Sequence, residues 1–60
     1  MSKPMSAPML IEYLAGEMYA DPALVVEAIQ EDSDVLAIVR QYGKGLVTYE
    51  QVREAVNSIC

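Results

Sequence analysis

The side chains in this sequence that could take part in chemistry are few and poorly matched to one another. Nine carboxylates, four tyrosines and a single cysteine are present, and there is no histidine. Proton transfer near neutral pH most often uses an imidazole, and so does activation of a serine hydroxyl, so neither histidine base work nor a Ser-His pair is on offer here. Cys60 stands last in the sequence, on a terminus expected to fray, with no base fixed beside it. A solvated thiol that can oxidise between molecules is the expectation. One cysteine without histidine cannot supply a zinc ligand set. Glu31, Asp32 and Asp34 could pair as acid and base or hold a cation. The same spacing is also that of a helix cap followed by first-turn acids, and that reading is preferred. Gly43 and Gly45 are too few for a phosphate loop. A single domain of 60 residues leaves little room for a substrate cleft, which needs roughly 300 Å³ or more. No catalytic residue, metal ligand or cofactor is therefore expected, and the chain reads as a non-enzyme.

The elements that position these groups follow from punctuation and periodicity. Residues 1–6 read as a flexible tail, because Pro4 and Pro8 interrupt any helix and the residues between are small or unbranched. A single domain then spans 7–60, an all-α compact bundle of four short helices predicted near 7–19, 22–31, 34–42 and 49–58. In the first helix Leu10, Leu14 and Met18 form a stripe flanked by Ile11 and Tyr13. Glu17 falls inside that apolar arc. It either reaches water over its own stem or meets Arg40, Arg53 or a partner's base. Asp21-Pro22 is a cap followed by a first-turn proline. Leu24, Val25, Ala28 and Ile29 are expected to face the core, and Val26 widens the arc beyond what a one-sided helix needs.

The third helix is bracketed by Asp32 or Ser33 as cap and by Gly43, placed to take the left-handed position that ends many helices. Its run Val35-Leu36-Ala37-Ile38-Val39 is apolar on nearly every side, with only Ala37, Arg40 and Gln41 tolerant of water. A short strand is the rival for this β-branched segment, but the capping signals favour a helix, and one at the centre of the bundle. The fourth helix starts with capping-box spacing at Thr48 and Gln51 and staple spacing at Val47 and Val52. Tyr49, Val52, Ala55, Val56 and Ile59 point inward.

Two known motifs share letters with the chain. Gly43 to Val52 resembles the second half of an EF-hand calcium loop running into its exit helix. The resemblance covers about ten residues and implies calcium binding, but the ligands do not follow. The first, third and fifth loop positions would be Arg40, Tyr42 and Lys44, and the twelfth is Gln51, whereas calcium needs oxygen donors there. A capped turn explains the same residues. Helices two and three could also form a helix-turn-helix, with Ala28 as the small residue of the first helix, Asp32 in place of the turn glycine and Ile38 buried. Its reading helix would offer Arg40, Gln41 and Lys44.

Charge weighs against nucleic acid. The formal net charge is −5, and without Lys3 in the tail three bases face nine acids. That field repels phosphates and anionic lipid and favours a basic protein surface. No segment approaches the roughly 20 apolar residues of a membrane span. The N-terminus is not expected to act as a secretory leader, since Pro4, Pro8 and Glu12 interrupt it. The lone cysteine suits a reducing cytoplasm.

The function expected is a non-enzymatic protein-binding module: a small acidic inhibitor, adaptor or regulator that docks on a protein partner, comparable to small acidic regulators of phages and bacteria. Homodimerisation is expected as well, because helices two and three carry more apolar surface than one chain covers. The contact residues expected are Glu17, Tyr19, Val26, Leu36 and Ile38. A helix-turn-helix transcription regulator and a structural oligomerisation domain are the alternatives.

Overall fold

A computed structural model describes residues 4–60. Met1, Ser2 and Lys3, half of the expected tail, lie outside the described residues. Within them Met5 packs against the core, and its N–H donates to the Tyr42 hydroxyl at 3.1 Å. Four helices follow: α1 (Ala7–Met18), α2 (Pro22–Glu31), α3 (Ser33–Gly43) and α4 (Tyr49–Ile59). The fold is all-α, with no strand among the described residues, so the β-branched run of α3 is helical.

The starts of the helices follow from their caps. The first N–H groups of a helix have no partner inside it, and a short acceptor side chain satisfies them. Asp21 Oδ1 accepts from the Ala23 N–H at 2.9 Å, with Pro22 opening α2. Asp32 Oδ1 accepts from the N–H groups of both Asp34 and Val35 at 3.1 Å. This double cap lets α3 begin at Ser33, one residue before the expected start, so Asp32 alone connects α2 to α3. The capping box of α4 is complete. The Gln51 N–H donates to Thr48 Oγ1 at 3.3 Å, and the Thr48 N–H donates to Gln51 Oε1 at 2.7 Å. Ser6 occupies the cap position of α1, but its hydroxyl makes no capping bond.

The ends of α1 and α3 share one device. At the end of α3, Gly45 takes the left-handed conformation (φ 76°), and not Gly43 as expected; Gly43 stays helical. The Leu46 N–H reaches back to Gln41 O at 2.9 Å and the Gly45 N–H to Tyr42 O at 3.0 Å. These are the paired bonds of a Schellman motif, which satisfy otherwise orphaned carbonyls. At the end of α1, Ala20 N–H to Ala15 O at 2.9 Å and Tyr19 N–H to Gly16 O at 3.4 Å repeat the pattern. Here the left-handed position is filled by Tyr19 (φ 54°, ψ 39°), so α1 stops at Met18 and not at 19.

The core is apolar throughout: Leu10, Leu14 and Ala15 of α1, Val25 and Ile29 of α2, Val35 and Tyr42 of α3, and Val52 and Val56 of α4. No polar or charged side chain is buried among the described residues. The helix at the centre is α2 rather than α3. It packs against each of the other three, whereas α3 packs chiefly against α2 and α4. Two expected core residues lie outside. Leu24 is 63% exposed and Tyr13 59% exposed. On α2 the positions of Leu24 and Val26 are about 200° apart, so no single core can cover both, and burial goes to Val25 and Ile29 between them.

A bulky side chain at a left-handed position costs about 1 kcal/mol that glycine does not. Tyr19→Gly is therefore expected to raise the unfolding free energy by about 0.5–1 kcal/mol. Urea denaturation followed by circular dichroism measures it, and an unchanged or lower midpoint would show that the Tyr19 conformation carries no strain.

Candidate functional site

An open groove of about 490 Å³ lies between the first two turns of α1, one side of α2 and the middle of α3. Pro8 and Ile11 form one wall, Pro22, Val26 and Ile29 the floor, and Leu36 and Val39 the other wall. Glu12 and Gln30 are the polar residues in the lining. The groove is larger than the cleft expected for so short a chain. Its origin is topological: α4 packs against α2 and α3 and contributes no residue to this side. The arc of α2 that is left over, centred on Val26, faces the gap.

The structure divides the five expected contact residues. Val26 and Leu36 both line the groove, each half-buried. Ile38 is half-buried against the core and does not line the groove. Tyr19 is 99% exposed at the end of α1, about 12 Å along the helix beyond Ile11 at 1.5 Å per residue. Glu17 is on another face. Pro8, Ile11 and Val39 line the groove without having been singled out from the sequence. Ile11 carried a signal as a flanking member of the α1 arc and Val39 as part of the apolar run of α3; Pro8 read only as a residue that interrupts a helix.

Glu17 resolves into one of its expected pairings. Its carboxylate accepts a short hydrogen bond from the Tyr49 hydroxyl through Oε1 and meets Arg53 Nη1 at 3.4 Å through Oε2. Arg53 Nη2 also approaches Glu50 at 3.9 Å. The Tyr13 ring stands edge-on to Tyr49, centroids 5.8 Å apart at 82°, a favoured arrangement of aromatic quadrupoles. These side chains tie α1 to α4. Half-burial, and then the hydrogen bond and negative charge of Glu17, push the Tyr49 hydroxyl up from 10.0 to about 12, while Arg53 pulls the other way. A tyrosine held neutral at this height is a hydrogen-bond donor and not a base. No group of three His, Cys, Asp or Glu able to hold a metal ion gathers among the described residues. No helix among them is long and apolar enough to cross a membrane.

The fold and groove define a small all-α domain with an open, mostly apolar groove. No protein-family model, curated protein or solved structure matches the chain.

The raised Tyr49 value links stability to alkaline pH. The folded state holds the phenolic proton more tightly, so this contribution is complete below pH 10 and is lost as pH rises towards 12. Tyr49→Phe should cost about 1 kcal/mol near neutrality. The gap between wild type and variant should then shrink between pH 10 and 12 in urea titrations. A gap independent of pH across that window would contradict the bond to Glu17.

Proposed function

We propose that this chain is a non-enzymatic protein-binding module that docks on a protein partner through the groove between α1, α2 and α3. It acts as a small inhibitor, adaptor or regulatory subunit. The observation that carries this reading is the groove itself, eight of whose ten lining residues are apolar. Leaving such a surface in water forfeits roughly 25 cal/mol for each Å² that a partner could cover. The energy of docking in this reading comes from Val26 and Leu36 at the centre, with Pro8, Ile11 and Val39 excluding water around them. Tyr19 serves as a peripheral contact, offering aromatic area at small entropic cost.

The rival DNA-binding reading is weakened by two features. Asp32 alone joins α2 to α3, where a helix-turn-helix uses a turn of about three or four residues. The same two helices carry acids at Glu27, Glu31 and Asp34, with Asp32 between them, and these oppose phosphate.

The test is capture from a lysate of the cells that encode the chain, with wild type, Val26→Asp and Leu24→Asp compared side by side. Leu24 is exposed and outside the groove, so Leu24→Asp controls for added charge. A partner held by wild type and by Leu24→Asp, and weakened about tenfold or more by Val26→Asp, is the expected result. Circular dichroism verifies that Val26→Asp remains folded. Equal capture by all three proteins would place the contact elsewhere.

A further inference from the structure

We infer that the groove takes an amphipathic helical segment flanked by lysine or arginine, an inference that rests on the docking reading above. The first argument is backbone chemistry. Every wall of the groove is a helix, whose main-chain N–H and C=O groups are bonded within itself apart from its ends. An extended segment lying there would bury peptide groups with almost no partners, since Glu12 and Gln30 are the polar lining residues. A helix satisfies its own backbone and presents only side chains.

The second argument is length. From Pro22 to Gln30 the floor runs along α2 for nine residues, eight steps or about 12 Å at 1.5 Å per residue. Two turns of a docked helix, from i to i+7, span about 10.5 Å. Three apolar anchors at i, i+3 or i+4, and i+7 would fit between Pro8–Ile11 and Leu36–Val39.

The third argument is the distribution of charge. The segment 7–43, which contains every groove-forming helix, carries seven acids against Arg40 alone. Residues 44–60 are balanced, with Lys44 and Arg53 against Glu50 and Glu54. Glu17 is paired with Arg53 on another face, but the remaining acidic excess still lies on the helices that form the groove and their caps, and Glu12 stands in the lining itself. A second copy would bring two such halves together within about one Debye length, roughly 8–10 Å, whereas basic flanks on a docked helix complement the field.

Selection of peptides about 16 residues long, roughly 24 Å as helix, from a random display library on the wild-type protein tests this. Anisotropy titration of the winners follows. Winners should carry apolar residues at helical spacing and an excess of Lys and Arg. Their affinity should fall about tenfold with Leu36→Asp, and about threefold with Glu12→Lys or on raising salt from about 50 to 300 mM. Glu12 is exposed, so its variant carries the test should Leu36→Asp fail to fold. Neutral or acidic winners that depend on Leu36 but ignore Glu12→Lys and salt would overturn the basic helix while leaving groove docking intact. Winners indifferent to Leu36→Asp, Val26→Asp and Glu12→Lys would overturn the docking reading as well. A dimer in sedimentation that Val26→Asp disperses would give the groove to a second copy and refute the inference.

Discussion

Val25 and Ile29 are the side chains that α2 buries while it packs against three other helices. That demand on one helix of ten residues shapes the rest of the molecule. All three neighbours converge on the Val25–Ile29 stripe of α2, and the described residues hold no further helix to cover the flank that bears Val26. A chain this short buries only about 60% of the surface its unfolded form exposes. Part of the shortfall is scattered over Met9, Tyr13, Leu24 and Leu46, and part is gathered where α1 and α3 diverge around Val26, where it forms the groove.

One side of that groove is braced at Asp32. As the only residue between α2 and α3, it ends one helix and caps the next, accepting from two N–H groups with a single oxygen. A longer connection would let α3 swing relative to α2. Here the angle between the two helices is fixed locally, and with it the separation of Val26 and Ile29 from Leu36 and Val39. The opposite wall is held by less regular means. Ser6 makes no side-chain cap, and the approach to α1 is held instead by the Met5 bond to Tyr42, a residue of α3. The wall bearing Pro8 and Ile11 thus follows a contact far away in sequence, whereas the α2–α3 side does not.

Local signals in this sequence were legible and three-dimensional competition was not. Asp21-Pro22, Asp32 and the Thr48–Gln51 pair are chemical instructions readable from neighbouring residues, and each acts where its letters place it. The apolar arcs of α1 and α2 were also legible, but an arc states which residues could be buried and not which will find a neighbour. Leu24 lost that competition because α1, α3 and α4 converge on Val25 and Ile29. Tyr13 remained at the rim, where its ring meets Tyr49. The left-handed turn fell at Gly45 rather than Gly43 because α3 continues until the Leu46 N–H can reach Gln41. The centre of the bundle was misplaced for a related reason: the greasiest segment, in α3, is not the one with the most neighbours. At the site, Val26 was readable as surplus surface and Leu36 as its companion. Glu17 was legible as an acid out of place, and its pairing with Arg53 was among the possibilities its position suggested.

The seam between α1 and α4 bears on the order in which the molecule assembles. Apart from α2 with α4, the main helix contacts join neighbours along the chain, and such short-range docking is fast. Bringing Glu17 to Tyr49 and Arg53 closes one of the longer loops in the fold, and what rewards that closure at the surface is chiefly a phenol, a carboxylate and a guanidinium. Contacts of that kind do little to nucleate a bundle. Interactions made after the folding barrier govern how quickly the native state is lost, not how quickly it is found. By this reasoning the polar seam acts as a latch on the finished structure: it prolongs the lifetime of the folded protein while leaving its folding speed to the apolar helices.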